Sequence, residues 1–170
     1  MMLAITREVI AQNDPTAYRV LSEPELMGFT AVTGPHTRYT NFKVPADHLI
    51  FAPGKAVPVI EQAFTVTAPL AAAMAVGTMR SAFELALKFS KEDNRGGSVP
   101  IIKRQSVADL LMGSKMRIDT SRLLVWKALD GLDRYGPSDA TVLEYCLQAK
   151  IYGGDAAVPA VYECMQVVGM

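Results

Sequence analysis

The spacing of apolar residues changes once along this chain, near Val57. Before it, apolar residues come in short runs at 2–6, 29–32 and 39–44, separated by Asn13-Asp14-Pro15, Glu23-Pro24 and Gly34-Pro35. Short runs with that punctuation predict strands. Three such strands bury little and leave open edges, so they are expected to be the remnant of a larger antiparallel β-domain over residues 1–56. After Val57 the apolar positions recur every three or four residues, and Pro100 and Gly136-Pro137 divide the rest into three long helices predicted at 63–89, 101–132 and 141–167. In the first, Arg80, Glu84 and Lys88 recur at four-residue spacing and predict a solvated stripe. The second carries Val107, Leu111, Ile118 and Trp126 at helical spacing, with Trp126 expected in the core or at an interface. The third carries Val142, Ala149, Ala156 and Val161, weakened by Gly153-Gly154 and Pro159. The fold class is therefore mainly α, a long antiparallel helical bundle at 57–170 preceded by the β remnant.

Composition narrows the function classes. Half of the 170 residues are apolar, enough for a sizeable core, and seventeen basic residues balance seventeen acidic ones. That balance gives no field to recruit nucleic acid or an acidic membrane. The uncharged stretch 63–79 is alanine-rich and carries Thr65, Thr67, Pro69 and Thr78, so it reads as a helix buried in protein rather than a membrane span. Met1 to Ile5 is too short an apolar run for a signal peptide. Cys146 and Cys164 have no Cys or His at ligand spacing, which predicts buried thiols, no metal site, and an intracellular, cytoplasmic protein. His36 and His48 sit in turn sequences without a partner that would make either a base.

The candidate chemistry lies in the run Asn94-Arg95-Gly96-Gly97-Ser98-Val99-Pro100-Ile101-Ile102-Lys103-Arg104-Gln105. Gly96 and Gly97 can turn backbone N–H groups towards one point, Ser98 can cap the following helix, Pro100 fits its first turn, and the helix dipole favours an anion there. A phosphate or pyrophosphate suits such a place. An ordinary loop with a solvated arginine fits the same spacing.

These residues are similar to the Arg-x-x-Phe-Gly…Gln segment of the acyl-CoA dehydrogenase family, and the Arg-Gly-Gly-Ser wording most resembles its nitroalkane oxidase branch. Tyr39-Thr40-Asn41-Phe42-Lys43-Val44-Pro45 resembles the Phe-x-x-Val-x-Val-Pro exit from that family's middle β-domain. Gln166-Val167-Val168-Gly169-Met170 resembles its Gln-x-x-Gly-Gly stretch, with Met170 in place of the second glycine. The resemblance covers essentially the whole chain. It implies the end of a middle β-domain at 1–56 and a C-terminal helical domain from 57, with a chain truncated at both ends.

The resemblance also implies roles. Arg95 matches the arginine that meets the FAD pyrophosphate across a subunit interface, and Arg104 and Gln105 match a pair, often His-Gln, lying against the ADP half. Gln166, Val167, Val168, Gly169 and Met170 match the stretch running beside a partner's cofactor. Where acyl-CoA dehydrogenases commonly read Phe-Asp-x-x-Arg, Thr65 and Ala68 replace the charged pair that helps hold acyl-CoA, which implies a small substrate without CoA. Thr67 falls where the oxidase branch has a serine and a minority of the family a glutamate. Its hydroxyl can donate a hydrogen bond but is no base at neutral pH. From the residues alone, Thr67 also reads as a helix-start residue before Pro69. Glu61, Glu84 and Asp109 belong to helical charge patterns, and the family's carboxylate base is expected beyond Met170. The implied function is that of an FAD-dependent oxidoreductase oxidising nitroalkanes to aldehydes or ketones with release of nitrite and hydrogen peroxide, in a homo-oligomer, a dimer of dimers. An acyl-CoA dehydrogenase or oxidase of another specificity, and a non-catalytic helical assembly subunit, are the alternatives.

Overall fold

The structure, a computed structural model, describes residues 1–28 and 34–169. The strand expected at 29–32 lies outside the described residues, as does Met170. The chain forms two compact units, Met1–Val59 and Ile60–Met170.

In the first unit, strand β1 (Met2–Leu3) pairs antiparallel with β4 (Leu49–Phe51), and β2 (Tyr18–Ser22) with β3 (His36–Tyr39). The strand expected at 2–6 stops at Leu3 because Thr6 opens a short helix, α1 (Arg7–Ala11), its hydroxyl accepting from the Val9 N–H at 3.3 Å. The strand expected at 39–44 is displaced to His36–Tyr39. Asn41 turns the chain with a left-handed φ of 51° and ends the pairing. The Asn13 side chain then grips Lys43, accepting from its N–H at 2.7 Å and donating to its carbonyl at 2.8 Å. Strands β2 and β4 were not expected; each leaves most of its residues exposed, so neither shows a clean inside–outside alternation.

The second unit is built on α2 (Val57–Glu92), α3 (Gln105–Tyr135) and α4 (Ala140–Val168). Helix α2 starts at the change of period itself, six residues before the expected 63, and accommodates Pro69 in its interior. The second helix starts later than expected. Ile101–Lys103 is a separate 3₁₀ turn, and extended Arg104 (φ −84°, ψ 130°) separates it from α3. Asp139 caps α4 by accepting from the N–H groups of Thr141 and Val142, and Gly169 ends it at φ 83°.

Three layers of side chains fill the bundle. Ala72 packs with Val125 and Cys146, Met79 with Ile118 and Ala160, and Ala86 with Leu111 and Cys164. Numbers rise together along α2 and α4 and fall along α3, so α3 runs antiparallel to the other two. Gly153, which weakens α4 by propensity, is where α2 comes close: a β-carbon there would lie 3.1 Å from the Ala72 β-carbon. Small residues on both helices explain that approach. Trp126 is 60% exposed and is not part of this core. Helix α2 is long and apolar enough to cross a membrane, and only 22% of its most apolar window is buried within the structure. The expectation of a wholly buried helix therefore holds for one face only.

Candidate functional site

The run from Asp93 to Gln105 joins the end of α2 to the start of α3, and its turn is held by its own side chains. Asp93 Oδ1 accepts from the Arg95 N–H at 2.7 Å, Asn94 Oδ1 from the Gly96 N–H at 3.0 Å, and the Asn94 carbonyl from the Gly97 N–H at 2.9 Å. Asn94 and Asp93 thus consume the amides that the glycines were expected to offer an anion. The capping role expected of Ser98 is also absent: Arg104 occupies the N-cap position of α3 without a side-chain cap bond, and Pro100 precedes the 3₁₀ turn instead of α3. The Gly96 and Gly97 amides are therefore not open to an anion, and the side chains at this end that could meet one are the guanidinium groups of Arg95 and Arg104.

Arg95 sits at the carbonyl ends of two helices. Its backbone adopts a left-handed φ of 47°. The guanidinium carbon lies 5.0 Å from the centroid of the Phe89 ring, and Nε lies 3.7 Å from Asp93 Oδ1. Nη2 donates to the Val168 carbonyl at the end of α4. The φ of 83° at Gly169 favours glycine, and a β-carbon there would come within 2.8 Å of that Nη2, the movable end of a long side chain that would have to shift. Arg104 Nη2 donates to the Asn94 carbonyl at 3.3 Å, and Gln105 Nε2 to Asp109 Oδ1 at 2.7 Å.

The fold therefore gathers Arg95, Arg104 and the Gln166–Gly169 segment around one end of the bundle, with Gln105 one residue on. Within that segment Val167 is buried against Ala86, Leu111 and Cys164, and Val168 packs beside them, which leaves Gln166 and Gly169 exposed. Phe89 and Asp93 were not anticipated, and Asn94 opened the candidate run without a role of its own. The Asp-Asn pair ahead of Arg-Gly-Gly is the turn signal that could have found Asp93 and given Asn94 its part.

Thr67 is not brought to this end. It is exposed and lies well inside α2, its hydroxyl donating to the Ala63 carbonyl at 2.9 Å, so the helix-start reading does not hold. From Thr67 to the end of α2 at Glu92 is about 38 Å of helix at 1.5 Å per residue. Thr65 is buried and donates to the Glu61 carbonyl at 2.8 Å, while Ala68 packs beside the Ala72 cluster. Both positions face the bundle interior. Among the candidate carboxylates, Glu84 is paired with Arg80 at 2.6 Å and Asp109 accepts from Gln105, as their helical spacing predicted. A groove of about 450 Å³ between α2 and α3, lined by Arg80, Phe83, Lys115 and Trp126 among others, does not include Arg95.

Comparison with known proteins gives this geometry a context. The family model for the C-terminal domain of acyl-CoA dehydrogenase matches residues 54–170. Nitroalkane oxidase of Fusarium oxysporum is 51% identical over 99% of this chain and 39% of its own length. The solved structure of Podospora anserina nitroalkane oxidase superposes with a TM-score of 0.92 at 42% identity, over 100% of this chain and 40% of that one. The 3-sulfinopropanoyl-CoA desulfinase of Paraburkholderia xenovorans is 27% identical over 84% of this chain and 36% of its own length. The chain spans about two fifths of the length of these relatives.

Proposed function

The chain belongs to the acyl-CoA dehydrogenase family, and from that premise we propose that it serves in an FAD-dependent oxidase acting on small nitroalkanes. The observation that carries this reading is the gap in similarity: 51% and 42% identity to nitroalkane oxidases against 27% to the CoA-ester desulfinase. Residues 1–56 are proposed as the end of the middle β-domain and 57–170 as part of the C-terminal helical domain. The two buried free thiols support an intracellular, reducing location.

The donor set fits the cofactor. Two guanidinium groups, Arg95 and Arg104, and the Gln105 amide stand near one end of the bundle, and Arg95 is half-exposed, with N–H groups left over after Val168 is satisfied. That set suits a pyrophosphate and its adenosine. FAD, when bound, supplies the two-electron acceptor. Thr67 would touch a different copy of the cofactor, since 38 Å of helix, at about 1.5 Å per residue, is further than one such molecule reaches. This separation supports an oligomer in which each cofactor draws Thr67 from one subunit and Arg95, Arg104 and Gln105 from another; the family resemblance adds the expectation of a dimer of dimers.

At the reacting end Thr67 can orient a substrate or ring oxygen through its hydroxyl. It cannot take the proton α to a nitro group at neutral pH. No carboxylate among the described residues is set beside it by a hydrogen bond, and the base is proposed to come from a segment outside residues 1–169. The test gives the FAD-loaded protein, with the segment that carries the base, nitroethane and a series of acyl-CoAs, following nitrite, peroxide and flavin bleaching; residues 1–170 alone are expected to show no turnover. Nitrite and peroxide from nitroethane, without bleaching by acyl-CoA, is expected. Rapid bleaching by an acyl-CoA with no nitrite from nitroethane would instead favour the dehydrogenase alternative.

A further inference from the structure

Arg95 pairs a left-handed backbone with a guanidinium reaching residue 168, seventy-three positions away. Among the described residues only Asn41 shares that φ region without being glycine, and Asn, unlike Arg, often adopts it in turns. A strained arginine persists where its surroundings over-determine it. Here they do. Asp93 fixes its N–H, the Phe89 ring lies beside the guanidinium, and Val168 accepts from Nη2.

The last carbonyls of a helix lack intrahelical donors and carry the negative end of its dipole. The Gly169 N–H closes α4 onto Gln166 and Met165, and Arg95 supplies a cationic donor to the Val168 carbonyl. A β-carbon at 169 would come within 2.8 Å of Nη2, so the guanidinium would have to shift to admit one. Resting on the cofactor reading above, we propose that Arg95 is a positioning residue. Its clasp on the Val168 carbonyl fixes the end of α4, so that Gln166–Gly169 and the 93–97 turn form one surface before any ligand arrives.

Backbone hydrogen exchange in the protein without added FAD reads the clasp directly. Arg95→Ala should speed exchange over residues 165–169 by roughly five- to tenfold, leaving the layer around Met79 and Ile118 unchanged. Arg95→Lys, whose ammonium can still reach one carbonyl, should recover most of that protection. Gly169→Ala, which strains the φ of 83° and also moves the guanidinium without removing its charge, should lose at least as much last-turn protection as Arg95→Ala. Unchanged exchange in Arg95→Ala would overturn the proposal. FAD retention through gel filtration is the second readout, expected to fall in both Arg95→Ala and Gly169→Ala. Loss in Arg95→Ala with full retention in Gly169→Ala would also overturn it, leaving Arg95 a direct contact only. If both variants lose last-turn protection yet both retain FAD, the cofactor reading of this end falls while the clasp stands.

Discussion

Arg117 on α3 and Glu163 on α4 are joined by an ion pair with Nη1 and Oε2 2.5 Å apart, and both side chains are less than one-third exposed. The same Oε2 lies 3.1 Å from the Ser114 hydroxyl, and a β-carbon on Gly113 would come within 3.2 Å of it. One carboxylate thus ties α3 to α4 beside the apolar layers in which Leu111, Ile118 and Val125 pack between them.

Removing one member of that pair should therefore cost more than a surface ion pair does. Arg117→Met or Glu163→Gln is expected to lower stability by about 1–2 kcal/mol in urea titrations, between the exposed and fully buried limits. The Arg117→Met, Glu163→Gln double variant should lose less than the sum, because neither charge is then left alone. Additive losses would mean that the two residues act independently.

Two buried serines on α3 should respond in opposite directions. Ser114 Oγ has the Ala160 carbonyl at 3.2 Å and the Glu163 carboxylate at 3.1 Å, whereas Ser121 Oγ is buried with no partner among the described residues. Ser114→Ala is expected to cost about 1–2 kcal/mol, and Ser121→Ala to be neutral or to gain up to about 1 kcal/mol. Equal losses at both sites would refute the distinction.

The two thiols make stability depend on pH in the alkaline range. Burial raises both Cys146 and Cys164 above the ordinary thiol range; at Cys164 the Ser114 hydrogen bond opposes the rise and Glu163 adds to it. The folded chain therefore keeps thiol protons that the unfolded chain gives up. Their contribution is full below about pH 8.5 and is lost progressively above it. The urea midpoint should fall from pH 7.5 to 9.5, and less steeply in a Cys146→Ala, Cys164→Ala variant. The two cysteines lie eighteen residues apart on α4, roughly 27 Å along the axis, so they cannot pair with each other.

The bundle was legible because its helices are long enough for the 3.6 period to outweigh single breakers. Pro69, Gly153 and Pro159 all sit inside helices, and Gly153 proves to be a packing choice against Ala72. The β segment was less legible, since two-stranded pairs exposed on most positions leave little period to read. At the candidate site the sequence marked Arg95 and Gln166–Gly169 separately. It could not reveal that one guanidinium joins them, because local spacing says nothing of a contact between residues 95 and 168. It also led to a capped helix and a backbone nest where Asp93 and Asn94 had already satisfied the turn.

Thr67 and Arg95 stand at opposite reaches of α2, so the proposed site makes a strong demand on subunit mixing. If each cofactor takes Thr67 from one subunit and Arg95 from its partner, a Thr67→Ala chain and an Arg95→Ala chain complement each other. In a mixed dimer one site then receives both intact residues and the other receives neither. Random mixing makes half of the dimers mixed, so FAD-dependent nitrite release should return to about a quarter of wild type in the unfractionated mixture and to about half in the purified mixed dimer, although each variant alone is impaired. Thr67→Ser alone should stay near wild type, since it keeps the hydroxyl. The measurement is co-expression with two affinity tags, purification of the mixed species, and a nitroethane assay with saturating FAD. Mixed oligomers no more active than the average of the two single variants would mean that both residues serve the same cofactor within one subunit, and the cross-subunit arrangement would fall.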